Sequence, residues 1–307
     1  MIQHQVRPLP YLAGHVYKSI LLRLLTALVG IPIIVGLLYL GSWPFVLLVL
    51  GLALMCQHEV YRLLEEGGLH PHRIPGLLIG ALFVLQAAWR PALYVAAAVV
   101  VGVVACFPLY SGLSGREGAE TRVAGPGGVR PDSPGTRRLG ATLLGIVYPS
   151  VLWAFLIELR FANGLGMDDV SAFYLTLAVF VIVWTADTLA FITGRLFGRY
   201  PLAPAVSPKK TWAGAIGGVF GALAAAVLFQ LFVYEITSWV NILLLGGIAG
   251  VLGQLGDLAA SRLKRLAGAK DSGSLLPGHG GVLDRFDAML PVAAAMYLYL
   301  RFAAGVF

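Results

Sequence analysis

The segment from Gly256 to Asp287 carries an unusual density of groups able to act on phosphates. Asp257 and Ser261 are four residues apart, a spacing that places them on one helix face. Asp284 and Asp287 are three apart and share a face in the same way. Lys264, Arg265, Lys270 and Arg285 set positive charge beside these carboxylates. His279 stands between glycines, with Gly280 and Gly281 after it. Three carboxylates supply hard oxygen ligands suited to Mg²⁺. With basic side chains around them they match the needs of phosphoryl or nucleotidyl transfer, in which a cation and lysines neutralise phosphate oxygens. The plainer alternative is a charged loop closed by its own salt bridges.

Two smaller clusters lie upstream. Asp187, in Trp184-Thr185-Ala186-Asp187-Thr188, falls near the end of an apolar run and requires a partner such as Arg195, a lysine or a metal. Ser207-Pro208-Lys209-Lys210-Thr211 precedes another apolar run. Thr211 is placed to cap that helix, whose N-terminal amides attract anions. Lysines at a helix start oppose its dipole unless an anion sits between them. Taken alone, Lys209 and Lys210 read first as topology charges facing lipid headgroups.

These clusters must be positioned by elements that live in lipid. Of 307 residues, 58% are hydrophobic and only 12% charged, against about 25% charged in soluble domains. Mean hydropathy is +0.83. Nine apolar runs follow a polar start, at 19–40, 43–61, 74–89, 92–113, 139–160, 170–193, 212–233, 238–259 and 285–305. With the N-terminus inside, 19 of the 22 Lys and Arg fall on inner segments, as cytoplasmic loops require. The fold expected is all-α and polytopic, with about nine transmembrane helices and a cytoplasmic N-terminus. The net charge of +7 is thereby assigned to topology, and no nucleic acid partner is expected. Residues 1–113 form a four-span part. Residues 114–138, rich in Gly, Pro, Arg and Ser, read as a flexible cytoplasmic linker. Residues 139–307 form a five-span catalytic part. Cys56 and Cys106 read as buried small hydrophobes, not a disulfide. Glycines at spacing four in the seventh and eighth runs permit close helix packing, within the chain or across a homodimer seam.

The stretch Ser261, Lys264, Arg265, Lys270, Asp271, His279, Gly280, Gly281, Asp284, Arg285 and Asp287 resembles the signature of the phosphatidate cytidylyltransferases, also called CDP-diacylglycerol synthases. Asp187 to Phe191, Gly194 to Arg199 and Ser207 to Thr211 resemble a second block of that family. Ala213 stands where the family often has an acidic or amide residue. The resemblance covers roughly 140–307; the first four runs fit in hydropathy alone.

The resemblance implies that CTP and phosphatidate react to give CDP-diacylglycerol and pyrophosphate in phospholipid biosynthesis. It implies Mg²⁺ held by Asp257 and Asp284, with Asp287 beside them, and leaves open a second metal or a monovalent cation. Lys209, Lys210, Lys264, Arg265 and Lys270 would hold phosphates, Asp187 would support the metal or pair with Arg195, and Ser207, Ser261 and His279 would donate hydrogen bonds near the phosphates. Thr211, Arg285, Gly280 and Gly281 complete the expected substrate contacts. The setting implied is the bacterial inner membrane with the site facing the cytoplasm, among membrane lipids. A related enzyme using an isoprenoid lipid phosphate shares this chemistry. A transporter would place its charges at mid-membrane in paired broken helices, and a scaffold would need no such cluster.

Overall fold

The computed structural model describes residues 26, 28–89, 134–162, 166–275 and 280–307. Within them the chain is mostly helical. α1 is Leu28–Leu40, α2 Ser42–Glu66 and α3 Arg73–Ala87. α4 covers 134–160: an α-helical start, Pro134–Gly145, a π-helical stretch, Ile146–Val151, and an α-helical end, Leu152–Arg160. α5 is Asp169–Phe197, α6 Trp212–Phe232 and α7 Trp239–Leu266. A single turn, α8 (Leu283–Phe286), leads into α9 (Met289–Leu298), which ends in a π-helical turn, Tyr299–Ala303.

Among the described residues, five helices are long and apolar enough to cross a membrane: Ser42–Glu66, Arg137–Arg160, Asp169–Phe197, Trp212–Phe232 and Trp239–Leu266. Leu28–Leu40, Arg73–Ala87 and Met289–Ala303 are shorter apolar helices. Eight of the nine apolar runs thus coincide with helices. The fourth run, 92–113, lies outside the described residues, as does Cys106. Phe191, Phe220, Leu228 and Phe232 are exposed on the outer surface. That is the pattern of a bundle whose solvent is lipid.

Side-chain caps fix where the later helices begin. Asp168 accepts the Ser171 amide at 2.9 Å at the start of α5, and Ser238 accepts the Asn241 amide at 3.3 Å at the start of α7. Thr211 caps α6 as expected, accepting the Gly214 amide at 3.2 Å. Small residues then let α5, α6 and α7 approach closely. Gly217 packs on Thr193, Gly221 on Leu189, and Gly246 and Gly250 on Leu223 and Val219. These glycines therefore serve packing within the chain.

The fold is mostly helical, as expected, with one short addition: β1 (Pro201–Ala203) and β2 (Ser207–Thr211) form an antiparallel pair in the register Pro201↔Thr211 and Ala203↔Ser207. Pro204 and Pro208 disfavour helix here, and the extended backbone that results can pair. The linker expected over 114–138 stops earlier, because residues 134–138 already belong to α4. Pro134 opens that helix at the position where a missing N–H costs nothing. The rest of the linker lies outside the described residues.

Within the four-span part, a buried polar network joins α2 to its neighbours. Gln57 on α2 donates to the Gly76 carbonyl at 2.7 Å and accepts from Ser150 Oγ at 2.8 Å. Tyr61 donates to the Thr142 carbonyl at 2.9 Å. These bonds are buried and tie α2 to α3 and to the π-helical stretch of α4. Every polar group in such a network needs its partner, and these bonds hold α2 against α3 and α4. The same helix carries Glu59 and Arg62, which meet the segment that bears the signature.

Candidate active site

Two lysine–carboxylate pairs define the site. In the first, Lys210 Nζ at the end of β2 lies 2.6 Å from Asp257 Oδ2 on α7. The side chains are 24% and 38% exposed, so the pair faces an open mouth. One turn on, Ser261 Oγ is 3.4 Å from the other carboxylate oxygen, Asp257 Oδ1, as their spacing predicts. Asp187 on α5 is exposed to the same mouth and feels the charges of Asp257, Lys210 and Arg285. The α6 start, capped by Thr211, sits beside Lys210.

In the second pair, Lys264 Nζ lies 2.6 Å from Asp284 Oδ1, with side chains only 11% and 8% exposed. The other oxygen, Asp284 Oδ2, accepts the Ser272 amide at 2.8 Å and the Gly281 amide at 3.0 Å. Burial alone would raise the Asp284 pKa. The Lys264 hydrogen bond and charge, with the two amides, outweigh burial and hold the carboxyl below its ordinary value of 3.8. Gly280 sits at φ +83°, a conformation that a side chain would strain. Asp287 is buried, accepts the Ala288 amide at 2.8 Å, and feels the charges of Asp257, Lys264 and Asp187. Asp187 and Asp287, on two other elements, are thus within electrostatic reach of Asp257.

Other expected residues fall into two groups. Lys209 and Lys270 are exposed and form no ion pair with a described residue, so both are available to phosphates. Arg285 is exposed beside Asp187. Arg265 is engaged with backbone instead. Its Nη1 donates to the Ala269 carbonyl at 3.1 Å and its Nε to the Val206 carbonyl at 3.4 Å, so it ties the hairpin to the end of α7. Ser207 is half-buried in β2 opposite Ala203. His279 lies outside the described residues. Among the described residues, no three His, Cys, Asp or Glu side chains converge as a ready metal site.

The sequence reading missed Glu59, Arg62 and Ser272. Glu59 is buried on α2. Its Oε2 accepts from Ser272 Oγ at 2.7 Å and from the Leu283 amide at 2.9 Å, and its Oε1 accepts the Val282 amide at 2.9 Å. Arg62, one turn later, donates to the Ser272 carbonyl at 2.5 Å. Gly281 must lack a side chain here, since a Cβ would stand 2.4 Å from Glu59. The available signal was an ionisable residue inside an apolar run, which by default marks a functional site. Tyr148 was also missed. Its hydroxyl is buried with no hydrogen-bond partner among the described residues, within electrostatic reach of Asp287.

An open mouth with hard oxygen ligands, an ion-paired lysine, two unpaired lysines and a capped helix start can bind and orient polyphosphate. Among the described residues these groups supply positioning and charge neutralisation.

Comparison with known proteins agrees. The phosphatidate cytidylyltransferase of Brucella abortus biovar 1 (strain 9-941) is 45% identical over 132 residues, covering 43% of this chain and 48% of that protein. For that relative the match spans about half its length. The phosphatidate cytidylyltransferase of Bacillus subtilis (strain 168) is 38% identical over 162 residues, 53% of this chain and 58% of that protein. The phosphatidate cytidylyltransferase of Synechocystis sp. (strain ATCC 27184 / PCC 6803 / Kazusa) is 29% identical over 302 residues, 91% of this chain and 95% of that protein. The cytidylyltransferase family matches residues 21–303, and the chain therefore belongs to that family.

Proposed function

We propose that this protein is a phosphatidate cytidylyltransferase, making CDP-diacylglycerol and pyrophosphate from CTP and phosphatidate in phospholipid biosynthesis. The observation that carries the reading is the Lys210–Asp257 pair, with Asp187 and Asp287 within electrostatic reach of Asp257. A phosphatidate oxygen attacks the α-phosphorus of CTP, the bond to the β-phosphate oxygen breaks, and pyrophosphate leaves with that electron pair. The lipid phosphate is already ionised near neutral pH, so no general base is required. Lys209, Lys210 and Lys270 hold phosphate oxygens, and the amides at the α6 start add partial positive charge.

The donor set suits Mg²⁺, which commonly takes one or two carboxylates and completes its shell with water and substrate phosphate. Asp257 and Asp287 are the carboxylates offered to it, with Asp187 in support. Bound there, Mg²⁺ would neutralise charge developing on the transferring phosphate. Asp284, whose oxygens already accept from Lys264 and two amides, shapes the loop that carries Asp287.

The ends of α2 and α7 and the starts of α6 and α8 meet at the site, which supports a reading with the N-terminus cytoplasmic. The reading therefore sets the site at the cytoplasmic face of an inner membrane, where lipid phosphate and cytosolic CTP meet. The direct test gives the purified protein phosphatidate, Mg²⁺ and CTP labelled at either the α- or the γ-phosphate. Label from the α position is expected in the lipid phase and label from the γ position in pyrophosphate. Failure to label phosphatidate, with transfer to an isoprenoid lipid phosphate instead, would reassign the substrate.

A further inference from the structure

Resting on that reading of the site, we infer that Glu59 is a positioning residue for transfer, acting from the four-span part through the backbone of the signature loop. A carboxylate buried at the depth of α2 is costly unless its oxygens are satisfied. Glu59 is 2% exposed, and three donors meet it: Ser272 Oγ, the Val282 amide and the Leu283 amide. Val282 and Leu283 open α8, which has no side-chain cap of its own. Glu59 therefore supplies from a distant helix what a local cap supplies elsewhere. α8 carries Asp284 and delivers Asp287 immediately after it.

Ser272 couples this arrangement to the second lysine–carboxylate pair. It is fully buried and uses all three of its polar groups. Its hydroxyl donates to Glu59, its amide donates to Asp284 Oδ2, and its carbonyl accepts from Arg62. Glu59 and Arg62 thus grip one residue from α2, and that residue grips Asp284. Displacing Glu59 releases the start of α8 and one support of Asp284 together. Outer-shell groups that orient metal-site residues commonly contribute about 10–100-fold to activity or metal affinity.

Charge is essential to this role. Two carboxylate oxygens accept all three donors, whereas a glutamine offers one acceptor oxygen and turns an NH₂ group toward the other. Glu59→Gln should therefore fail almost as fully as Glu59→Ala, although it is nearly isosteric. Gln57→Ala is the control, because it breaks the buried network of the same helix two residues away without touching the signature loop.

The experiment compares wild type, Glu59→Gln, Glu59→Ala, Ser272→Ala and Gln57→Ala as full chains in detergent. It reads three quantities: kcat for cytidylyl transfer, Mn²⁺ binding by electron paramagnetic resonance, and thermal midpoint. Both Glu59 variants should lose about 10–100-fold in kcat or in Mn²⁺ affinity. Ser272→Ala, which removes one hydrogen bond to a carboxylate, should lose about tenfold. Gln57→Ala should lower the midpoint alone. If Glu59→Gln matches wild type in kcat and Mn²⁺ binding, or shows only the pattern of Gln57→Ala, the inference is overturned. If the Glu59 variants do not fold, Ser272→Ala decides, and unchanged kcat and Mn²⁺ binding overturn it. A wild type that transfers nothing refutes the proposed reaction, while the Mn²⁺ comparison still judges the role of Glu59.

Discussion

The two lysine–carboxylate pairs have the same length and opposite character. Lys210–Asp257 and Lys264–Asp284 both close at 2.6 Å. The first joins a hairpin to a helix; its side chains are 24% and 38% exposed, although Lys210 Nζ itself is shielded from solvent. The second is buried, and its carboxylate also accepts two backbone amides. A half-exposed pair costs less to open than a buried one, so a phosphate or a cation can exchange into it more readily. A buried pair is different, because removing one partner strands a charge. On the proposed reading, the more open pair is the one substrate would break, and the closed pair holds the loop that presents Asp287.

This contrast orders the expected effects. Asp257→Asn should reduce turnover by about 10³-fold, the scale of losing a principal charge-stabilising group, with the thermal midpoint nearly unchanged. Enzyme assays beside thermal unfolding of the detergent-solubilised protein would measure both. Asp284→Asn should reduce turnover and also destabilise the fold, by about 3–5 kcal/mol, through the stranded Lys264. A midpoint equal to wild type would show that the second pair is not structural.

Acid sharpens the same comparison. Because the Asp284 pKa is depressed on folding, its stabilisation is fully present above about 4 and is lost as pH falls through the lower folded value. Acid unfolding below pH 4 should therefore be steeper for wild type than for Asp284→Asn, and the two slopes should coincide between pH 5 and 8. The smallest effect belongs to the unpaired lysines. Lys209→Gln or Lys270→Gln should raise the KM for CTP a few-fold, with a weaker salt dependence than wild type and little change in kcat.

Part of this design was legible in the sequence because it is local. Asp257 and Ser261 share a helix face by spacing, Thr211 caps the helix it precedes, and apolar runs mark the membrane helices. What stayed hidden depends on partners distant in the chain. Glu59 meets donors more than 200 residues away, so no local pattern joins it to Val282 or Leu283. Arg265 carries the charge of a phosphate ligand, yet its contacts are carbonyls of the hairpin and of its own helix end, which charge alone does not reveal. The hairpin escaped because its strands are three and five residues long, too short for an alternating pattern to register.

The central claim is that the open pair does the chemistry and the closed pair does the positioning. It is tested most directly by single-turnover transfer from α-labelled CTP to phosphatidate in Asp257→Asn and Asp284→Asn, each with its unfolding midpoint measured in the same detergent. The account predicts that Asp257→Asn folds as well as wild type and transfers almost no label, while Asp284→Asn loses both stability and transfer. Transfer at the wild-type rate by Asp257→Asn, or an Asp284→Asn protein as stable as wild type, would contradict it.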